Sequence, residues 1–499
     1  MDTRLELHGR AARGVAWSLM GTFGGRVVSL ASLAVLARLL APEDFGLLAF
    51  ALVFITYLET IGDLGTAAAL VYWPGRWKDV AQLTFLANVF MGLTWVGVSI
   101  AGAPAVAGFF GSPEGVPILR TLCWVVLIKA LGNTQDAILQ RDLRFRARVI
   151  PEMALLAGKA VTSVVFAFMG FGVWSLVWGQ LVGQSLATVL LWAMVPWRPG
   201  LRVPLHQAGP VLRYGRGIVS VNVVAAVVHH VDYVIVGRML GVAVLGVYQM
   251  AYKVPDMVVT LLVRIASKVL FPALSRVRDA GGEMRELFFS ALRYLALITI
   301  PATVGLAFMA RPVVLTLFGE QWTDSVPLLR ALAVYAGLRA LGSFTGDALK
   351  ARGRPGLLAL LGVARALVLV PALVIAARES ALAVAWTLTA VAALSTTVNL
   401  GVACVLLGAS ARTLGETLAP GVAAATPLLF FLLLWGELST GFSAALDLFP
   451  GVVLGIAVYL SSIRVLLPGV FKGILIHLRP PFPGQEGQKT SPPAAEAFS

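Results

Sequence analysis

What most limits the fold of this chain is a succession of apolar runs separated by short polar breaks. Each run is long enough to cross a hydrocarbon core of roughly 30 Å as a helix. There are fourteen, from Gly14–Leu40 and Phe45–Tyr72 at the start to Leu418–Trp435 and Leu446–Leu467 at the end. Unpaired backbone cannot face lipid, so such runs must be helices or strands of a closed barrel. A barrel needs alternating strands of about 10 residues, and these runs do not alternate. Composition agrees: 58% of the 499 residues are hydrophobic and 13% charged, against about 25% charged in soluble domains. The chain is therefore expected to be an all-α integral membrane protein. The first run far exceeds the 7–15 residues of a signal-peptide core and reads as a retained span.

The net charge of +14 would point to nucleic acid in a soluble protein. Here cytoplasmic loops rich in Lys and Arg explain it. Counted in alternate breaks, roughly 23 basic residues fall on the side of the N-terminus and about 4 (Arg38, Arg238, Arg311 and Arg378) on the other. That alternation predicts an even span count and both termini in the cytoplasm. Sliding the chain by 200 residues lays Arg38–Ala51 on Arg238–Ala251, with identities at Arg38/Arg238, Leu40/Leu240, Gly46/Gly246 and Ala51/Ala251. A shift covering six spans predicts two parallel bundles related by an axis along the membrane normal. The expected division is 1–200, 201–407, an extra helix pair at 408–467 and a cytoplasmic tail at 468–499. That tail begins amphipathic and ends in a Pro/Gly/Gln/Ser/Ala stretch too polar to fold.

Ionisable residues inside spans are costly and mark function or pairing. Near mid-span lie Arg26, Lys129, Lys159, Arg264, Arg339 and Arg365, joined by Glu59, Asp63, Asp136, His229, His230, Asp232, Asp256 and Asp347. The third, sixth and twelfth spans carry no interior charge. The expectation is that every third helix is turned outward to lipid and the others surround a central cationic cavity. The six bases are candidate binding groups for an anionic substrate part such as a pyrophosphate or acidic sugar. Glu59, Asp63, Asp232 and Asp256 are candidates for ion coupling or for pairing inside the cavity. The competing reading is structural: Arg26 against Glu59 or Asp63, Lys253 against Asp256 three residues on, and one of the adjacent histidines as a helix contact.

Cys123 and Cys404 lie in apolar runs away from any Cys/His cluster, so neither a disulfide nor a metal site is expected. Gly158-Lys159 lacks the first glycine of a phosphate loop, so no nucleotide is expected either. No loop carries a catalytic triad or paired carboxylates, and no cofactor or catalytic residue is assigned.

Several stretches resemble the oligosaccharide-lipid flippases, or polysaccharide transporters, of the superfamily that also holds multidrug and toxin extruders and lipid II flippases. They are ARLLAPEDFG (Ala37 to Gly46), GDLGTAAALV (Gly62 to Val71), QRDLRFR (Gln140 to Arg146), GVWSLVWGQLVG (Gly172 to Gly183), VDYVIVGRMLGVAVLGVYQMAYK (Val231 to Lys253), LFPALSRV (Leu270 to Val277) and FGEQW (Phe318 to Trp322). The resemblance implies two six-helix bundles around a cationic cavity, with an optional last hairpin. It also implies transfer of undecaprenyl-pyrophosphate-linked oligosaccharide across the bacterial inner membrane for surface polysaccharide assembly. The expected partners are that lipid-linked oligosaccharide and membrane lipid, with a polysaccharide polymerase and glycosyltransferases as candidate neighbours. A multidrug extruder is the runner-up, disfavoured because a cationic cavity repels cationic drugs. A glycan polymerase or ligase is a remote third.

Overall fold

The computed structural model describes residues 24–62, 77–200 and 228–469, with Gly65, Leu70 and Gly209 besides. Among these residues there is no strand. The first half holds α1 (24–39), α2 (Pro42–Gly62), α3 (Trp77–Phe109), the short α4 (Gly115–Leu122), α5 (Trp124–Arg141), α6 (Phe145–Phe168) and α7 (Val173–Met194). The second half repeats the order: α8 (228–240), α9 (Val242–Asp279), α10 (Met284–Phe308), the short α11 (Ala310–Leu317), α12 (Ser325–Ala351), α13 (Pro355–Ala376) and α14 (Ala381–Leu407). The extra pair follows as α15 (Ala411–Leu438) and α16 (Ala444–Leu466).

Among the described residues nine helices are long and apolar enough to cross a membrane. The chain is a multi-pass membrane protein. Helix ends follow local chemistry. Ser380, Ser410 and Ser443 each accept a backbone N–H from the residue three ahead, at 3.1, 3.2 and 3.5 Å, which satisfies one of the free donors of a first turn. Gly408 ends α14 in the left-handed conformation at φ 64°.

The repeat seen in sequence is a physical contact. Where α2 and α9 begin, a Cβ on Gly46 would fall 1.8 Å from the Val242 carbonyl oxygen, and one on Gly246 would fall 2.0 Å from that of Pro42. Pro42 and Val242 are themselves 200 residues apart. When residue i touches the partner of j and j touches the partner of i, the two elements are related by a twofold axis. The glycines sit on that axis because only a missing side chain lets the two backbones approach so closely.

Burial shows where the described parts of the two halves share a core. The largest core joins Phe45, Phe50 and Leu119 of the first half to Tyr248, Phe318, Trp322 and Tyr335 of the second. At the opposite ends of the helices each half has a core of its own: Leu70, Val80, Ile138 and Leu191 in one, Leu270, Leu274, Phe288 and Phe344 in the other. Among the described residues the halves share a core at the Pro42/Val242 end and keep separate cores at the other, with the bond from Arg26 to the Met257 carbonyl crossing between them.

Candidate functional site

The space between the halves is a cavity of about 810 Å³, near the top of the range for ligand pockets. Its wall comes from α2, α3, α5, α8, α9 and α12. The contribution of α3 corrects the expectation that the third helix faces lipid. Asn88, Met91, Gly92 and Trp95 of α3 border the cavity, and their spacing puts them on one helical face. Counting charges missed this helix because its inward stripe is polar but neutral.

The candidate bases divide. Lys129 of α5 and Arg339 of α12 border the cavity, and both meet carboxylates. Lys129 Nζ donates to Glu59 Oε2 at 2.7 Å. Arg339 Nη2 donates to Asp256 Oδ1 at 2.5 Å, and its Nη1 to the Tyr252 hydroxyl at 3.3 Å. Its guanidinium also lies 5.7 Å from the centre of the Tyr335 ring. Asp136, a third carboxylate on the wall, accepts a two-pronged bond from Arg148 at 2.7 and 2.8 Å. The described wall is thus not uniformly cationic, and mid-span acids do reach mid-span bases. Carboxylates that look displaced along their own helices are brought level with bases on other helices by packing. Lys253 is the exception to its expected local pairing: it borders the cavity, but Asp256 forms its ion pair with Arg339 instead.

Lys159, Arg26 and Arg365 stand behind the wall rather than in it. Lys159 of α6 starts against α7, where a Cβ on Gly183 would lie 3.0 Å from its own Cβ, and it is within electrostatic range of Lys253. Arg26 of α1 donates to the Met257 carbonyl at 2.7 Å and also acts on Lys253. Arg26 and Lys159 of the first half thus each lie within electrostatic range of Lys253 of the second, which borders the cavity. Arg365 of α13 reaches the Tyr335 hydroxyl at 3.5 Å and lies within range of His229. Its Nε is buried without a partner among the described residues. Asp63 and the side chain of Arg264 lie outside the described residues.

Of the other candidates, Glu59 and Asp256 border the cavity in the pairs above. Asp232 does not: it is 3% exposed and accepts from the Tyr248 hydroxyl at 3.0 Å, holding two helices together behind the wall. His229 and His230 both border the cavity, and the His230 ring packs edge-on against Tyr57 and Tyr233.

The closed end is built by two of the sequence motifs meeting each other. Trp322, fully buried, donates its indole N–H to the Ala37 carbonyl at 2.7 Å. Gln321 donates to Ala37 and Leu40, and Arg38 to the Thr316 carbonyl at 2.6 Å. The carbonyls at the end of α1 have no acceptor role left inside their own helix, so the FGEQW segment of the other half completes them. Phe45 packs edge-on against Trp322 at 5.3 Å.

Residues 35–327 match the family described as Polysaccharide biosynthesis protein, well over half of the chain. The chain belongs to this family. Its exporter superfamily is the one its motifs resemble. It is 28% identical over 383 residues to the lipopolysaccharide biosynthesis protein WzxC of Escherichia coli K12, covering 74% of this chain and 76% of that protein. It is 27% identical over 329 residues to the succinoglycan biosynthesis transport protein ExoT of Rhizobium meliloti, covering 65% and 66%. Its fold is that of the lipid II flippase MurJ in an inward closed conformation, with a TM-score of 0.75, 15% identity and coverage of 91% of this chain and 99% of that one.

Proposed function

We propose that this family member is a flippase that carries a lipid-linked oligosaccharide, with undecaprenyl pyrophosphate as the lipid carrier, across the bacterial inner membrane for surface polysaccharide synthesis. The observation that carries the reading is the cavity itself. It lies between two twofold-related halves, is closed at one end, and carries bases of both halves, Lys129, Lys253 and Arg339, on its wall. A pyrophosphate entering a hydrocarbon core loses its hydration and needs fixed positive charge along its path. Several weak cationic contacts supply that without trapping it. The names of relatives in lipopolysaccharide and succinoglycan biosynthesis support the same reading. The multidrug alternative is disfavoured by the wall: Glu59, Asp136 and Asp256 are all engaged by bases, which leaves none of these three free to receive a cationic drug.

In this reading the chain has fourteen spans, both termini in the cytoplasm and bundle boundaries near residues 200 and 407. The Pro42/Val242 end faces outward, so the state described is closed to the outside. Arg26, Lys129, Lys159, Arg264, Arg339 and Arg365 serve the anionic part of the substrate. Transport proceeds by rocking of the halves about the Gly46/Gly246 crossing. A polymerase and glycosyltransferases would act before and after it, and the chain itself catalyses no bond change. The test is reconstitution of the purified chain into liposomes containing lipid-linked oligosaccharide labelled on its sugar. Exposure of the label to an external glycosidase should rise in proportion to protein. A rate equal to protein-free liposomes refutes the reading.

A further inference from the structure

The cavity has an uncharged side that the pyrophosphate reading does not use. It is built on α3, the helix without an interior charge. Gly92 lets this helix lie close to α5, where a Cβ would meet Ala130 and Leu127 at 3.1 and 3.2 Å. On either side of that contact Asn88 and Trp95 border the cavity, and Asn133 of α5 and Gln249 of α9 border the same space. The Trp95 Nε1 is buried with no acceptor among the described residues. A buried indole N–H ordinarily finds a partner, so this one is held by the packing of its ring and keeps an unused donor.

We propose that this side is a glycan-reading subsite, with Trp95 and Asn133 as specificity-determining residues and Gln249 opposite them; the inference rests on the flippase reading above. A pyranose ring presents an apolar C–H face and a rim of hydroxyls, each both donor and acceptor. An indole face suits the first, since its π-cloud is negative and the C–H edge slightly positive. Carboxamides suit the second, because each offers two donors and an acceptor oxygen without net charge. An acyl chain would waste the amides, and a drug cation would find no unengaged carboxylate among Glu59, Asp136 and Asp256. The bases then hold the part common to all such substrates, while α3 and α5 distinguish one sugar from another.

The test compares two lipids on the full-length chain in detergent by native mass spectrometry. One is undecaprenyl pyrophosphate without sugar. The other is the lipid-linked oligosaccharide extracted from source cells in which the chain has been deleted. The unaltered chain should prefer the glycan-bearing lipid by about tenfold, the value of one hydrogen bond with its ring contact. Trp95→Ala and Asn133→Ala should erase the preference while affinity for the bare lipid stays within about twofold. Trp95→Phe, which keeps a ring and loses the N–H, should retain part of it and guards against misfolding of the alanine variant. A preference that survives both alanine variants, or equal losses for the two lipids, overturns the subsite. Equal binding of both lipids by the unaltered chain overturns the subsite alone, and binding of neither overturns the flippase reading with it.

Discussion

The Arg339–Asp256 pair separates a structural charge from a transporting one. Arg339 is held by Asp256 at 2.5 Å, by the Tyr252 hydroxyl and by the Tyr335 ring. Its side chain is 18% exposed and that of Asp256 37%. Breaking a fully buried pair from one side costs about 3–5 kcal/mol because a bare charge is left behind. Asp256 borders the cavity, and Thr260 still donates to it at 3.1 Å, so Arg339→Ala should cost about 2 kcal/mol in equilibrium unfolding in mixed micelles. Asp256→Ala should cost a similar amount. The double variant removes both charges and should recover about 1–2 kcal/mol relative to the sum of the singles. Surface glycan, measured in the same strains at matched protein levels, should not recover if, as proposed, Arg339 also answers the substrate's negative charge. A coupling below about 0.5 kcal/mol would show that the pair contributes nothing. Export restored together with stability would show that Arg339 is only a partner of Asp256.

Three further outcomes test the architecture. Gly46→Leu places a side chain where a single Cβ would already lie 1.8 Å from a carbonyl of α9; backbone cannot move aside as a side chain can, so protein should be made but export lost, and cysteines at Ala37 and Phe318, both fully buried at the closed end, should become labelled from outside. Trp322→Phe leaves the Ala37 carbonyl without its indole donor and should destabilise the closed end by about 1 kcal/mol, read as a lower midpoint of unfolding; an unchanged midpoint contradicts the clasp. Single cysteines at Glu114 and Asp447, in a background with Cys123 and Cys404 replaced, should react with an impermeant reagent on intact cells, whereas ones at Lys78 and Arg412 should not. The reverse pattern at either end refutes the orientation.

Local chemistry made much of this protein readable in one dimension. The apolar runs set where helices lie, because lipid leaves backbone no other partner than its own helix. Helix positions follow those runs closely: α6, α7, α10, α12 to α14 and α16 begin and end within about five residues of the expected runs, while α15 begins seven residues before its run, at Ala411. A one-residue turn at Cys123 separates α4 from α5, yet Gly115–Arg141 together is long and apolar enough to be a single span. The Gly46/Gly246 identity announced the repeat, and charge in the spans pointed to a wet interior.

Which charges meet was decided by tertiary structure alone. Ion pairs form across helices far apart in sequence, such as Lys129 with Glu59 and Arg339 with Asp256, and helix rotation and register determine them. A one-dimensional count sees the excess of bases but not which of them is already answered. It also overlooks neutral polar residues, so Asn88, Trp95, Asn133 and Gln249 came into view only when packing placed α3, α5 and α9 around one space. The same holds for the clasp between Ala37 and Trp322. Both motifs were legible as strings, but their meeting depends on the twofold arrangement that brings the end of one helix, with its unsatisfied carbonyls, to donors of the other half.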